Sequence, residues 1–463
     1  MCAILPPSAA NLLTERPGSV EGVLTRLDLR SGDGPVASRL PRPEPAPDGP
    51  LEAVRAIIAA VRERGDDALR EFTERFDGVS PASLKVARDE IADAAARTPA
   101  AVREALAAAA ANVDAYHRHQ LLDDVLHERG GVTVTERHLP VRRAGCYVPG
   151  GRAAYPSTLI MTTVPARVAG VDEIAVCVPP GPDGRIADVT LAAAAAMGID
   201  EIHPVGGAQA IAALAYGTES IGAVDVIAGP GNAYVALAQR EVAGVVGVPA
   251  AFAGPSEVVV VADASADATF AAADVILQAE HGPDGLAWLV TWDEATAGAV
   301  EAEVVRLAAR SDRRAEMEAT LSNSGYSVVC SSVEQALDVV NEIAPEHLEL
   351  MVGDPEALVP LVRNAGAVFC GPWAPASLGD YAAGPNHVLP TDGTARFASA
   401  LGVRDFLRSM HVVSADRSGL ERLASHVIAL AEAEGLTAHA ESVRLRLAPA
   451  DAASPESPAE RSP

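Results

Sequence analysis

From Leu51 to about Leu122 apolar residues recur at helical spacing, as in AVRAIIAAVRERGDDALREF (53–72), and the pattern predicts a helical region. Two short strand candidates follow, VTVTE (132–136) and AGCYV (144–148). The chain then alternates. EIAVCVP (173–179), EIHPV (201–205), VDVIA (224–228), EVVVVAD (257–263), LAWLVTW (286–292), YSVVC (326–330) and AVFC (367–370) read as short apolar strands. Helical stretches separate them: LAAAAAMG (191–198), AQAIAALAYG (208–217), AYVALAQREV (233–242), DATFAAADVILQAEH (267–281) and VEQALDVVNEIA (333–344). Strands alternating with helices predict an α/β fold with parallel sheets covered on both faces. The runs fall into two groups, so two doubly wound, Rossmann-like parallel-sheet units are expected, with a helical N-terminal region and a small C-terminal helical arm. Residues 51–145 with 257–400 are assigned to one α/β domain and 146–256 to a second, inserted one. Residues 401–447 form the arm, expected to mediate dimerisation. Span 1–50 is assigned to flexible leader and linker on its Pro-, Gly- and Ser-rich stretches 1–23 and 31–50, and 448–463 reads as a disordered tail.

Composition narrows the chemistry. The formal charge of −26 argues against a basic nucleic-acid footprint. Lys85 is the only lysine, and no Gly-Lys-Ser/Thr triplet exists, so P-loop and Schiff-base enzymes become poor candidates. Cys2, Cys146, Cys177, Cys330 and Cys370 stand singly, with no CxxC pair, and read as buried apolar residues rather than disulfides. No apolar run approaches the ~20 residues that span a bilayer. The opening MCAILPPSAANLL has prolines where a signal core would be apolar, and the expected location is cytoplasmic.

Several residues invite chemistry, each with a plainer alternative. Gly229-Pro230-Gly231-Asn232-Ala233-Tyr234 follows a strand and opens a helix, as a phosphate-binding turn does, but Tyr234 replaces the third glycine. A simple tight turn fits equally. Tyr147–Gly151 and Gly206–Gln209 are further glycine turns at strand ends. Together the three favour a ligand at the carboxyl edge of a sheet. Gln278 and His281 share a helical face, either as metal ligands or as a helix-end polar pair. Asp380 and His387 bracket a Gly- and Asn-rich loop, and His439 lies near the C-terminus. Nitrogen and oxygen donors without thiolate suit Zn, Mn or Co. Glu346-His347 offers a general base beside an imidazole, or simply a solvated pair at a helix start after Pro345. Ser256, in AGPSEV, lacks the G-x-S-x-G elbow of a serine hydrolase.

In order and spacing, ERGDDALREFTERFDG, YVPGGRAAYPS, GGAQAIAALAYGT, GPGNAYV, AGPSEV, LQAEHGPD, APEHLE, GDYAAGPNHVLPT and LTAHAESVRLR resemble the histidinol dehydrogenase family from about Leu51 to Arg446. The resemblance implies oxidation of L-histidinol to L-histidine through histidinal, with two NAD and one zinc per site. It assigns zinc to Gln278, His281, Asp380 and His439, water activation to Glu346, and general acid–base work to His347. Ser256, His387 and Glu434 would join His347 and the zinc ligands around the substrate, and Tyr147, Gln209 and Asn232 would contact NAD. It also implies a homodimer with shared active sites, Glu434 and His439 acting in the partner's site. The alternative is a related zinc and NAD enzyme acting on another primary alcohol, such as a sulfonated diol. A catalytically dead binding protein is disfavoured by the intact Glu346-His347.

Overall fold

EVVVVA at 257–262 is apolar at every position after its glutamate and buried throughout, as a strand covered on both faces must be. The computed structural model describes residues 23–31, 34–41, 50–150, 153–249, 254, 256–281 and 285–448. In chain order its strands are β1 (Thr25–Asp28), β2 (Val125–Arg129), β3 (Val132–Pro140), β4 (Arg143–Tyr147), β5 (Glu173–Cys177), β6 (Ile202–His203) and β7 (Val226–Ala228). They continue as β8 (Glu257–Ala262), β9 (Leu286–Thr291), β10 (Gly325–Val329), β11 (His347–Met351), β12 (Ala367–Cys370) and β13 (Leu407–Ala415).

A first unit comprises the chain up to Gln120 and Val141–Phe406. It holds two parallel sheets, one ordered β1-β10-β9-β8-β11-β12 and the other β6-β5-β4-β7. In the larger sheet, alternate residues feed opposite cores. Val258 and Val260, with Ala287 and Leu289, meet Ala271 and Val275 of the helix Ala268–Leu277 and Val300 and Val304 of Glu294–Ala308. Val259, Val261, Trp288 and Val290 meet Ala336, Val339 and Val340 of the helix Val333–Ile343. Each sheet winds outward both ways from an inner strand, β8 in the larger and β4 in the smaller, with β1 added at the larger sheet's edge. The switch points fall between β4 and β7 and between β8 and β11.

A second unit is built from Leu121–Pro140 and the chain from Leu407 onward. It is an antiparallel sheet, β13-β3-β2, with two helices, Arg417–Ala433 and Thr437–Leu447, packed on each other.

The α/β class and the two doubly wound sheets agree with the sequence pattern. Four features differ. The helices Leu51–Arg64, Asp66–Asp77, Arg88–Arg97 and Ala100–Arg118 pack on helices of the β4–β7 layer, not on the larger sheet with which 51–145 was grouped. Val54, Ile57, Leu69 and Phe72 share one core with Ile211, Leu214 and Val235, which shows where their apolar faces are buried. The expected helical arm 401–447 begins with β13, which pairs with β3 from Leu407↔Pro140 to Ala415↔Val132. Within 1–50, Thr25–Asp28 is the edge strand β1 of the larger sheet rather than flexible linker, paired in register with Tyr326–Val329. Finally, His347–Met351 is a strand flanked by β8 and β12, not a helix start. Residues 1–22 of the leader and 449–463 of the tail lie outside the described residues. Among the described residues no helix is long and apolar enough to cross a membrane, and Cys146, Cys177 and Cys330 are buried and unbridged.

Candidate active site

A cleft of about 590 Å³ in the first unit gathers most of the candidate residues. One wall is the carboxyl edge of the β4–β7 sheet at its switch point, contributing Pro149 and Gly150 after β4 and Pro230, Gly231 and Asn232 after β7. The other wall is the amino edge of β8 and β11, where Ser256 and Glu346 immediately precede their strands and His347 begins β11, joined by Gln278, Asp380 and His387. The edge rule for α/β sheets therefore accounts for the glycine turns and not for the acid–base pair.

The glycine turns are shaped by contact. Gly229 has φ +125°, and a Cβ there would overlap the Tyr147 carbonyl oxygen, so the loops after β4 and β7 can meet only with glycine at this point. Asn232 caps the helix Ala233–Val242, its Oδ1 accepting from Tyr234 N and Val235 N at 3.1 Å each. Of the three residues expected to contact NAD, Asn232 lines the cleft. Tyr147 and Gln209 are buried beneath the neighbouring turn, where the Gly207 N–H donates to the Tyr147 hydroxyl at 3.1 Å.

Glu346 and His347 reach the cleft through a strained reversal. The helix Val333–Ile343 ends at Ala344, which is left-handed (φ 53°) despite its side chain. Among the described residues the only other non-glycine with positive φ is Asp392, which also borders this site. Such outliers persist where surrounding structure enforces them, commonly at functional sites. Glu346 Oε2 accepts the Glu257 N–H at 2.9 Å. Burial lifts the Glu346 carboxyl to about 7, against the opposing pull of His347 and the Glu257 N–H. His347 Nδ1 donates to the Glu257 carbonyl at 3.1 Å, and Nε2 lies 3.0 Å from Asp380 Oδ1. Burial alone would depress this imidazole. The Glu346 and Asp380 carboxylates outweigh it and raise the group to about 9, since both ring nitrogens face oxygen acceptors that favour the cation.

His387 crosses the cleft. Its Nδ1 donates to the Asp380 carbonyl at 2.8 Å, which leaves Nε2 to accept from the Thr158 hydroxyl at 3.1 Å on the helix Pro156–Ala169. Asn386 pins the same loop by donating to the Met161 carbonyl at 2.6 Å. Thr158 lies just outside the family motifs, and Asn386 lies inside one without a role that the sequence assigns. The same holds for Glu257, whose carboxyl is pushed up to about 8 by burial and by the charges of Glu346 and Asp392.

Gln278 ends the helix Ala268–Leu277 and starts the tight turn Gln278–His281. Its Nε2 lies 3.4 Å from His347 Nδ1, while its Oε1 is buried with no hydrogen-bond partner. An orphaned buried carbonyl oxygen in a cleft that the Asp380 carboxylate also lines is the environment a hard or borderline cation satisfies, so these residues fit a zinc site. Among the described residues no three His, Cys, Asp or Glu side chains are grouped to hold a metal; the side chain of His281 lies outside the description. Glu434 and His439 belong to the second unit, exposed on and beside the turn between its helices. The first unit thus brings together Ser256, Gln278, Glu346, His347, Asp380 and His387.

The histidinol dehydrogenase family profile matches residues 41–447. A histidinol dehydrogenase of Synechococcus sp. is 49% identical over 397 residues, 85% of this chain and 91% of that protein. One from Methanosarcina mazei is 44% identical over 397 residues, again 85% and 91% of the two chains. The crystal structure of histidinol dehydrogenase from Elizabethkingia anophelis superposes with a TM-score of 0.88 at 32% identity, covering 93% of this chain and 99% of that one. With the profile spanning most of its length and relatives this similar over nearly all of theirs, the chain belongs to the histidinol dehydrogenase family.

Proposed function

We propose that this oxidoreductase of histidine biosynthesis converts L-histidinol to L-histidine in two hydride transfers, through histidinal, using two NAD and a zinc ion. The observation that carries the reading is the Glu346–His347 pair, two buried proton carriers of different type at one point of a cleft whose opposite wall is built of glycine turns. Bound NAD would supply the hydride acceptor for both oxidations, and in the first His347 would receive the hydroxyl proton of the carbinol. The aldehyde has no second hydride that leads to an acid until water adds. Glu346, near neutrality in its ionisation, takes a proton from that water as its oxygen bonds to the carbonyl carbon. The hydrate anion so formed would be the species whose C–H hydride can leave, and loss of its remaining acidic proton would give the carboxylate.

Gln278, His281, Asp380 and His439 would hold the zinc, which when bound would supply a Lewis-acidic charge that orients the substrate and offsets part of the Glu346 and Asp380 carboxylate charge that raises His347. Ser256, His387 and Glu434 complete the substrate contacts. Asn232 meets the cofactor directly, while Tyr147 and Gln209 shape the turn beside it. The second unit exposes Val125, Leu126, Val412, Val413, Leu430 and Leu445, a set of apolar side chains that supports a homodimer in which the second unit of one copy completes the site of the other. A soluble biosynthetic role of this kind supports a cytoplasmic location. Another alcohol substrate is not favoured, since the relatives named above are histidinol dehydrogenases.

The test counts NADH formed per histidinol consumed. Two are expected. One NADH with histidinal left in solution would sink the four-electron reading, and turnover confined to a sulfonated diol would replace the substrate.

A further inference from the structure

Behind the acid–base pair lies a second pair of acidic residues that the reaction does not use. Glu349 is two residues beyond His347 on β11, on the same face of that strand. Asp274 is four residues before Gln278, on the same side of the helix Ala268–Leu277. The Ala376 N–H donates to Glu349 Oε1 at 2.9 Å, and Asp380 follows Ala376 by one turn in the helix Ala376–Tyr381. The Asp274 and Glu349 carboxyls interact with each other. Both are buried, Glu349 at 1% exposure and Asp274 at 8%. Apart from the Asp274 carboxyl, Glu349 Oε2 finds no hydrogen-bond partner among the described residues, so a proton carried by one of the two carboxyls is the hydrogen that fits between them. Two ionised carboxylates in contact, out of water, would repel without compensation, whereas one retained proton turns the contact into a hydrogen bond.

We propose that Asp274 and Glu349, joined by one shared proton, are positioning residues that set the spacing among Gln278, His347 and Asp380. Through one oxygen Glu349 ties β11 to the first turn of the helix bearing Asp380. Through the other it ties β11 to the helix that ends at Gln278. Each of the three elements delivers its cleft residue one helical turn, or one strand step, from the clamp. Burial pushes the Glu349 carboxyl up to about 9 and raises Asp274 as well, so the shared proton persists through neutral pH. The inference deepens the proposed function and rests on its assignment of Gln278 and Asp380 to zinc.

Glu349→Gln and Glu349→Ala, each made in the full chain, decide it. Zinc affinity is read by chelator competition, kcat and KM by NADH formation, and the fold by thermal unfolding of the metal-free protein. Glutamine keeps both bonds, accepting from Ala376 and donating to Asp274, and should hold zinc affinity and kcat within a few-fold of wild type. Alanine loses both and should weaken zinc by about 10–100-fold with a similar fall in kcat, since outer-shell partners of ligands carry effects of that size. KM for NAD should not move. Should the alanine variant not fold, Asp274→Asn and Asp274→Ala give the same comparison from the other partner. Folded alanine variants with wild-type zinc affinity and kcat overturn the proposal, and so does a glutamine variant as impaired as alanine. Wild-type protein that binds no zinc sinks the metal assignment instead; the contrast in kcat between glutamine and alanine still decides whether the pair positions His347.

Discussion

Glu346→Gln separates the two oxidations. Glutamine keeps the side-chain volume and an oxygen to accept the Glu257 N–H, held at 2.9 Å in the wild type, so the start of β11 stays in place. What disappears is the capacity to take a proton. With burial lifting the wild-type carboxyl to about 7, roughly half the sites carry the base at pH 7 and about nine-tenths at pH 8. General-base catalysis typically contributes ~10²–10⁴-fold, so oxidation of histidinal should fall by that factor, about 3–5 kcal/mol of barrier. Reduction of histidinal by NADH, the first step run backwards, needs no added water and should fall by far less. The wild-type second oxidation should rise with pH through about 7, and the variant should lose that limb. Stability should move the other way. The folded carboxyl titrates above its unfolded value of 4.5, so its contribution is full below that pH and is lost as pH rises from there through about 7. The loss is on the order of 3 kcal/mol. Glutamine does not ionise, and the variant should therefore melt higher than wild type at pH 8 and show little advantage at pH 4.5. Initial rates in both directions between pH 6 and 9, with melts at pH 4.5 and pH 8, make the measurement. Equal losses in the two directions, or a surviving limb near pH 7 in the variant, would refute the division of labour between Glu346 and His347.

Two further outcomes are expected. His439→Ala and His281→Ala proteins should each be inactive alone, and refolding them together should restore about a quarter of the sites, because mixed dimers form about half the population and hold one intact site each; mixed dimers verified by mass yet inactive would place His439 in its own subunit's site or in none. Gly229→Ala should cost about 2 kcal/mol or more, from a disfavoured φ and the overlap with the Tyr147 carbonyl, and should raise KM for NAD; an unchanged melt and KM would show that the two loops have room to part.

The larger architecture was legible because its strands are plainly apolar and its helices plainly periodic. EVVVVAD, LAWLVTW and YSVVC became β8, β9 and β10 as their burial on both faces requires. The element at the centre of the chemistry was not legible. HLELM alternates imidazole and carboxylate with leucine, which reads as a half-exposed segment, whereas all five positions of β11 are buried. Its polar side chains are held by partners remote in sequence, Glu257, Asp380 and Asp274, and local periodicity carries no trace of them. The N-terminal helices showed their apolar stripes but not which sheet would cover them. The candidate site was readable as motifs: Gln278, Glu346, His347, Asp380 and His387 do converge. The supports around them were not readable: Thr158 falls outside the motifs, and Asn386, Glu257 and Glu349 fall inside them with no role that the pattern reveals until the chain is folded.

The cleft has walls of different parentage. One belongs to the sheet of β4–β7 and the other to the sheet of β8–β12, and the contacts His387–Thr158 and Asn386–Met161 stitch them together. On the proposed reaction, two cofactors must arrive and depart in turn while a single reactive aldehyde stays behind. A pocket cut from one rigid sheet would have to loosen its hold on both molecules at once. On that proposal the cofactor and the aldehyde would be held by walls of different sheets, so exchange of a spent nicotinamide would not by itself require release of the intermediate between the two halves of the turnover.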